Sequence, residues 1–292
     1  MRPLTKIGGF TAALVVTFGA AYGIGDVIAP VTTDTGAQTD EHGGHTAPAA
    51  DDTVPAGLQV SEDGYTLDLE TPAVQAERRS TLRFVIRDAH GDPVTVYRTE
   101  HTKQLHLILA SRDLTTYRHL HPTRAADGTW SVPAELPSAG SYRVFADFVP
   151  AAQDEGLTLG TDLTVTGRHT ATELPPAAAT ATVDGYTVRL DGALNAGGES
   201  DLTFTVTRGG RPVTTLQPYL GAYGHLVALR SGDLAYLHVH PHDEAEGTKT
   251  SGPKVAFSAA VPSTGDYRLF LDFKVDKTVH TAAFTVRAHA SS

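Results

Sequence analysis

The chain has 292 residues, no cysteine, a single methionine at its start and a formal net charge of -10. Disulfides, thiolate chemistry and soft sulfur ligands for Cu(I) are excluded by composition alone. The acidic balance, with no Lys/Arg cluster beyond short pairs, argues against binding nucleic acid or an anionic membrane surface through charge, and the length exceeds what one hydrophobic core ordinarily serves, so about two domains are expected.

Residues 1–28 open with Arg2 and Lys6 and continue as an apolar, uncharged run from Ile7 to Gly25, "IGGFTAALVVTFGAAYGIG". A positive flank followed by about 20 apolar residues is the pattern of an export segment. As an uncleaved anchor it places the rest of the chain on the extracytoplasmic side of the cell membrane; cleavage after Gly23 or Gly25 gives a secreted protein instead. A lipoprotein anchor is ruled out, since no cysteine follows. Residues 29–57 are rich in Thr, Ala, Asp, Gly and Pro with almost no large apolar side chains, and read as a disordered linker. His42 and His45 within it read as solvated.

Beyond the linker the chain repeats. "DGYTLDL" (Asp63 to Leu69) answers "DGYTVRL" (Asp184 to Leu190), and "PSAGSYRVFADF" (Pro137 to Phe148) answers "PSTGDYRLFLDF" (Pro262 to Phe273). Two paralogous domains, 58–167 and 181–288, are expected, joined by a Pro/Ala-rich linker at 168–180. Short alternating runs such as "TLRFVIRD" and "LHLILA", broken by Gly, Pro and Asp, predict strands. The fold class is therefore all-β: two tandem immunoglobulin-like β-sandwich domains after an N-terminal hydrophobic helix and flexible linker. Leu82, Phe84 and Ile86, with Leu202, Phe204 and Val206 in the second copy, are predicted to face inward.

Of the 14 histidines, three per domain hold equivalent places: His106, His119 and His121 against His225, His238 and His240, at one constant offset. If Arg112 and Asp113 form the centre of a hairpin turn, His106 lies directly across from His119; with Ser231 and Gly232 at the turn, His225 lies across from His238. His121 and His240 then follow two residues along on the same face. Leu105, Leu107 and Leu109 alternate with His106 and take the core side, so the histidines point outward. Tyr142, Val144, Ala146 and Phe148 form the apolar face of a later strand, which leaves Phe145 and Asp147 on the other face, and Phe270 and Asp272 repeat this. Each domain is thus expected to carry three imidazoles and a carboxylate on one outer face. His90, His101, His242 and His280 have no counterparts and read as surface residues.

Two imidazoles at i and i+2 and a third across the ladder can converge on one ion, with a carboxylate as ligand or orienting group. Nitrogen and oxygen donors alone suit Cu(II) or Zn(II). The metal set expected is His106, His119, His121 and Asp147, with His225, His238, His240 and Asp272. The other reading makes these clusters structural hydrogen-bond networks, or the two outer faces an interface between domains. No catalytic residue stands out: phosphate loops, a G-x-S-x-G elbow and a serine triad are missing from the sequence, and the chain reads as a non-enzyme.

"LHLILASRDLTTYRHLHPTRAADGTW" followed by "LPSAGSYRVFADFVP" resembles a repeat module of bacterial envelope proteins described as heavy-metal or copper associated. The shared pattern is H-L, then D-L-x-x-F-x-H-x-H-P, D-G and P-x-x-G-x-Y-x-x-F-x-D-F-x-P, with Tyr117 in the usual aromatic's place. The second copy departs from it by shortening "DLTTY" to "DLAY", by inserting "HDEAEGTKTSGPK" for the D-G turn and by lacking the final proline. The resemblance implies metal association at the envelope. The function expected is an exported, membrane-tethered protein that buffers or hands on metal.

Overall fold

The computed structural model describes residues 54–170, 172–237, 239–245 and 247–290. The expected anchor at 1–28 and His42 and His45 lie outside these residues. Among the described residues no helix is long and apolar enough to cross a membrane.

The first repeat contains β1 (Ser61–Glu62), β2 (Tyr65–Leu69), β3 (Ala73–Gln75), β4 (Ser80–Arg87), β5 (Leu105–Ser111), β6 (Tyr117–Leu120), β7 (Thr123–Arg124), β8 (Thr129–Ala134), β9 (Gly140–Phe148) and β10 (Leu157–Thr166). The second contains β11 (Thr180–Val183), β12 (Tyr186–Asp191), β13 (Leu194–Ala196), β14 (Gly198–Arg208), β15 (Arg211–Pro212), β16 (His225–Arg230), β17 (Tyr236–Leu237), β18 (Val239–Pro241), β19 (Lys254–Val261), β20 (Gly265–Val275) and β21 (Thr278–Ala290). In the first repeat the sheets run β1-β2-β4-β8-β7 and β3-β10-β9-β5-β6; in the second they run β11-β12-β14-β19-β18 and β13-β21-β20-β16-β17. Apart from the added β15, the two orders match strand for strand. Each repeat is an immunoglobulin-like sandwich.

Alternation sets the cores. Leu82, Phe84 and Ile86 on β4 meet Leu105, Leu107 and Leu109 on β5 and Tyr142, Val144 and Ala146 on β9. Leu202, Phe204 and Val206 do the same in the second repeat. A tyrosine locks the start of the corresponding strand in each copy: Tyr142 Oη donates to the Ser138 carbonyl at 2.9 Å, and Tyr267 Oη to that of Ser263 at 2.9 Å. This is the tyrosine corner of Greek-key sandwiches.

Both repeats lie in one compact unit, and the sheets that carry the histidine strands pack on each other. Ile108, Ala110, Leu114, Tyr117 and Phe145 from one repeat form a buried cluster with Val227, Leu229, Leu234 and Phe270 from the other. The rings pair reciprocally. Tyr117 stacks on Phe270 with centroids 4.1 Å apart and planes 7° from parallel, while Phe145 meets Tyr236 at 5.7 Å and 50°. Equivalent residues exchanged across the contact make an approximate two-fold relation within one chain.

The chain enters at this seam. The Tyr236 amide donates to the Ala56 carbonyl at 2.9 Å, and the Gly57 amide to the Thr158 carbonyl at 2.7 Å. Arg143 clamps the same segment, its Nε donating to the Gly57 carbonyl and its Nη2 to that of Leu58, both at 2.8 Å. Gly57 has φ 75°, and a Cβ there would stand 2.6 Å from the Phe145 ring, so glycine is required twice over. The last residues of the expected linker are thus fixed between the repeats.

Candidate metal centre

In both repeats the hairpin loop is longer than expected. The Ser111 amide donates to the Thr116 carbonyl at 3.0 Å and the Arg230 amide to that of Ala235 at 2.9 Å, which makes four-residue loops. Asp113 holds the first of them by accepting from Ser111 Oγ and from the Thr115 amide. His119 therefore pairs with Ile108, not with His106. The second hairpin pairs Ala228 with Leu237 and Leu229 with Tyr236. The expected register is corrected by two residues in each case, and because side chains alternate with period two, His106, His119, His121 and His225 keep their face. The expected strand neighbour is found: His106 pairs with Asp147 and His225 with Asp272.

One shared cluster forms between the repeats, which corrects the expectation of one per repeat. The ligand atoms of His106, His119 and His121 lie within 4.8 Å of one another, and so do those of His119, His225 and Asp272. His119 Nδ1 is 3.0 Å from Asp272 Oδ2 of the other repeat, and both side chains are only 3% exposed. His106 stacks on His225 at 5.5 Å.

The hydrogen-bond pattern leaves a gap that a cation would fill. His106 Nε2 lies 3.4 Å from the Glu100 carbonyl, and His119 Nδ1 lies against the Asp272 carboxylate. Those oxygens only accept, so the two nitrogens facing them carry the ring hydrogens and donate. His106 Nδ1 and His119 Nε2 are then left 3.1 Å apart, each with a lone pair. A shared proton or a metal ion relieves that contact. Metal bonds of 2.0–2.1 Å put tetrahedral ligands about 3.3 Å apart, close to this separation. His121 Nε2 and His225 Nδ1 are buried with no hydrogen-bond partner. Leaving such a nitrogen unsatisfied costs about 1–3 kcal/mol.

Burial favours uncharged, ligand-competent rings. It pushes His106 down to about 3, helped by His119 and His121 and opposed by the Glu100 carbonyl. His121 is pushed down to about 4 by burial and then by His119 and Lys103. His225 is lowered by burial and by His119 and His106. Burial also raises Asp147 to about 6, although Thr158 Oγ1 donates to it at 3.2 Å.

The remaining expected ligands divide. Asp147 lies beside His106 in the ladder but in neither convergent group. His238 lies outside the described residues. His240 is exposed on β18, paired with Ser258 in the opposite sheet, and lines the mouth of a cleft of about 760 Å³ that reaches His106, His225 and Asp147. Of the histidines expected on the surface, His101 is there but stands at the edge of the cluster, and His280 is corrected. His101 is exposed, yet its ring stands 6.1 Å from His106 and 6.0 Å from His225. His280 is buried against Tyr186 and Phe273 and bonded to Asp184 at 2.7 Å. Sequence reasoning missed Tyr219, whose ring lies 6.4 Å from both His119 and His121; no repeat partner flags it.

A family model described as a domain of unknown function (DUF8832) matches residues 59–167 and again 181–290. No curated protein matches the sequence. Among solved structures, the Escherichia coli adhesin FdeC is 17% identical with a TM-score of 0.26, over 78% of this chain and 65% of that one. Invasin, a bacterial integrin-binding protein, is 14% identical with a TM-score of 0.25, over 80% and 41%. Domains 4 and 5 of the S-layer protein SbsC are 9% identical with a TM-score of 0.24, over 80% and 100%. The chain thus spans less than two thirds of the first two, and superpositions this loose carry no argument about function.

Proposed function

The chain belongs, through both repeats, to the family of the domain of unknown function DUF8832, and we propose that it is an exported, membrane-tethered module that holds Cu(II) or Zn(II) between its sandwiches. The observation that carries this reading is the 3.1 Å approach of His106 Nδ1 and His119 Nε2, both presenting lone pairs, beside the unpartnered His121 Nε2. His106, His119 and His121 would be the ligands, with Asp272 fixing the His119 tautomer from the other repeat in the usual carboxylate–histidine–metal arrangement. Cations would enter through the cleft, past Glu100 and Glu244 at its wall. Export and tethering rest on the apolar run from Ile7 to Gly25.

A second reading keeps the same geometry without metal. A doubly protonated His119 would donate to Asp272 and to His106 at once, and the cluster would be the polar end of an interface that the apolar seam already stabilises. The protein would then be a structural or interaction module of the envelope. Metal content separates the two. In untagged full-length chain carrying His42→Ala and His45→Ala, we expect copper or zinc to co-purify and to raise the melting temperature at pH 7.5, with His121→Ala losing both effects. Protein that purifies without either metal, and whose melting temperature neither metal moves, would leave only the structural reading.

A further inference from the structure

Resting on the metal reading, we infer that His119 is a bridging ligand: its two ring nitrogens hold two metal ions, one with His106 and His121 and the other with His225 and Asp272. The two convergent groups have only His119 in common. Its Nε2 faces His106 Nδ1 at 3.1 Å and its Nδ1 faces Asp272 Oδ2 at 3.0 Å, so each nitrogen is committed to a different group. The two nitrogens of an imidazole point away from each other across the ring, which lets one side chain serve two ions without their coordination spheres colliding.

A single ion does not account for the cluster. Bound by His106, His119 and His121, it engages a group that does not include His225, whose buried Nδ1 has no hydrogen-bond partner. A second ion in the group of His119, His225 and Asp272 would give His225 a partner through its ring nitrogen and turn a hydrogen bond into coordination. The step balances as a substitution. The His119 Nδ1–H bond breaks and a bond from Nδ1 to the ion forms, the proton leaves to solvent, and Asp272 changes from acceptor of that proton to ligand. The resulting imidazolate and the Asp272 carboxylate together place two negative charges between and beside the ions. Thr281 Oγ1, donating to Asp272 Oδ1 at 2.5 Å, holds the carboxylate in place for this role.

Copper titration followed by electron paramagnetic resonance decides it. Cu(II) has one unpaired electron, and two Cu(II) ions joined through an imidazolate couple antiferromagnetically. In untagged full-length chain with His42→Ala and His45→Ala at pH 7.5, we expect two Cu(II) per chain and a signal at two equivalents well below one spin per ion. His225→Ala, which takes a ligand from the second group alone, should bind one Cu(II) with a full signal of one spin; Asp272→Asn is the isosteric substitute should His225→Ala fail to fold. Saturation at one ion in the parent chain, or two ions with the full signal of two spins, would overturn the bridge while leaving the metal reading standing. No bound copper would overturn the bridge, and no bound copper or zinc would overturn the metal reading with it.

Discussion

The two repeats share a strand order but treat the same motif differently. In the first, "YRHLHP" stays in the sheet of β5 through Leu120, and His119 and His121 remain over His106. In the second, "YLHVHP" leaves β16 after Leu237, and Val239 to Pro241 pair with β19 of the opposite sheet. The second copy has an inserted segment where the first has its tight Asp127–Gly128 turn, so its strand runs on a different path into β19. Duplication supplied two equal sets of candidate ligands, and docking the copies face to face made one unequal cluster from them. The first repeat gives three histidines; the second gives His225 and Asp272.

That inequality can be broken by mutation. The largest effect is expected from His119→Ala, which removes the residue common to both groups: metal affinity should fall by more than the 10–100-fold typical of losing a ligand's hydrogen-bonding partner. His240→Ala, the counterpart of His121→Ala, should leave affinity within about threefold of the parent, as should His90→Ala. Isothermal titration with Zn(II) measures all four. Comparable losses in His121→Ala and His240→Ala would mean that the copies contribute equally.

Next comes the apolar seam, where the two reciprocal ring pairs can be compared directly. Tyr117→Ala removes a fully stacked ring and should cost about 3–5 kcal/mol in denaturant unfolding. Tyr236→Ala removes a tilted ring beside Ala56 and Gly57 and should cost less. The reverse order would show that the entering segment, not the stack, carries the interface.

Acid should act through the histidines in metal-free protein. His106 and His121 titrate at about 3 and about 4 when folded but near 6.5 when unfolded. Between those values the unfolded chain holds more protons, so stability falls as pH drops from about 6.5 toward 4. Asp147 opposes this. Its folded value of about 6 lies above the usual 3.9, so the folded chain gains as pH falls through 6. His225 is shifted in the same direction as the other two histidines, and three such rings outweigh one carboxyl. Calorimetry from pH 7.5 to 4.5 should show a falling melting temperature, and Asp147→Asn should steepen the fall. The smallest effect is expected from Tyr117→Phe. The Tyr117 hydroxyl is buried without a partner, so losing it should be neutral or slightly stabilising in the same calorimetry.

Faces were legible in the sequence because alternation is local: Leu105, Leu107 and Leu109 against His106 fixes which way each side chain points, whatever the turn. Register was not, since it depends on whether Asp113 sits inside a two-residue or a four-residue loop, and both keep the same parity. The shared site was the least legible part, because a sequence presents each repeat alone. One signal did point to it. After His106 the outward positions are Ile108 and Ala110, and after His225 they are Val227 and Leu229, so both faces of these strands are apolar, as expected for a sheet covered on both sides. The burial of His280 had no such signal: Phe273 is its direct partner in the β20–β21 hairpin, but Tyr186, whose ring covers it, comes from β12 in the other sheet.

The segment Ala56–Gly57 also defines a load path. It is bonded to Thr158 and Arg143 on one side and to Tyr236 on the other, so anything attached upstream pulls on both sandwiches at the line where they meet. Tension from that end is applied as a wedge at the seam, beside the histidines, and not as a stretch along either sheet. The second repeat holds that segment by the hydrogen bond from the Tyr236 amide to the Ala56 carbonyl, and the first by the Gly57 amide and the Arg143 guanidinium, so the grip on the load is unequal although the apolar seam joins both.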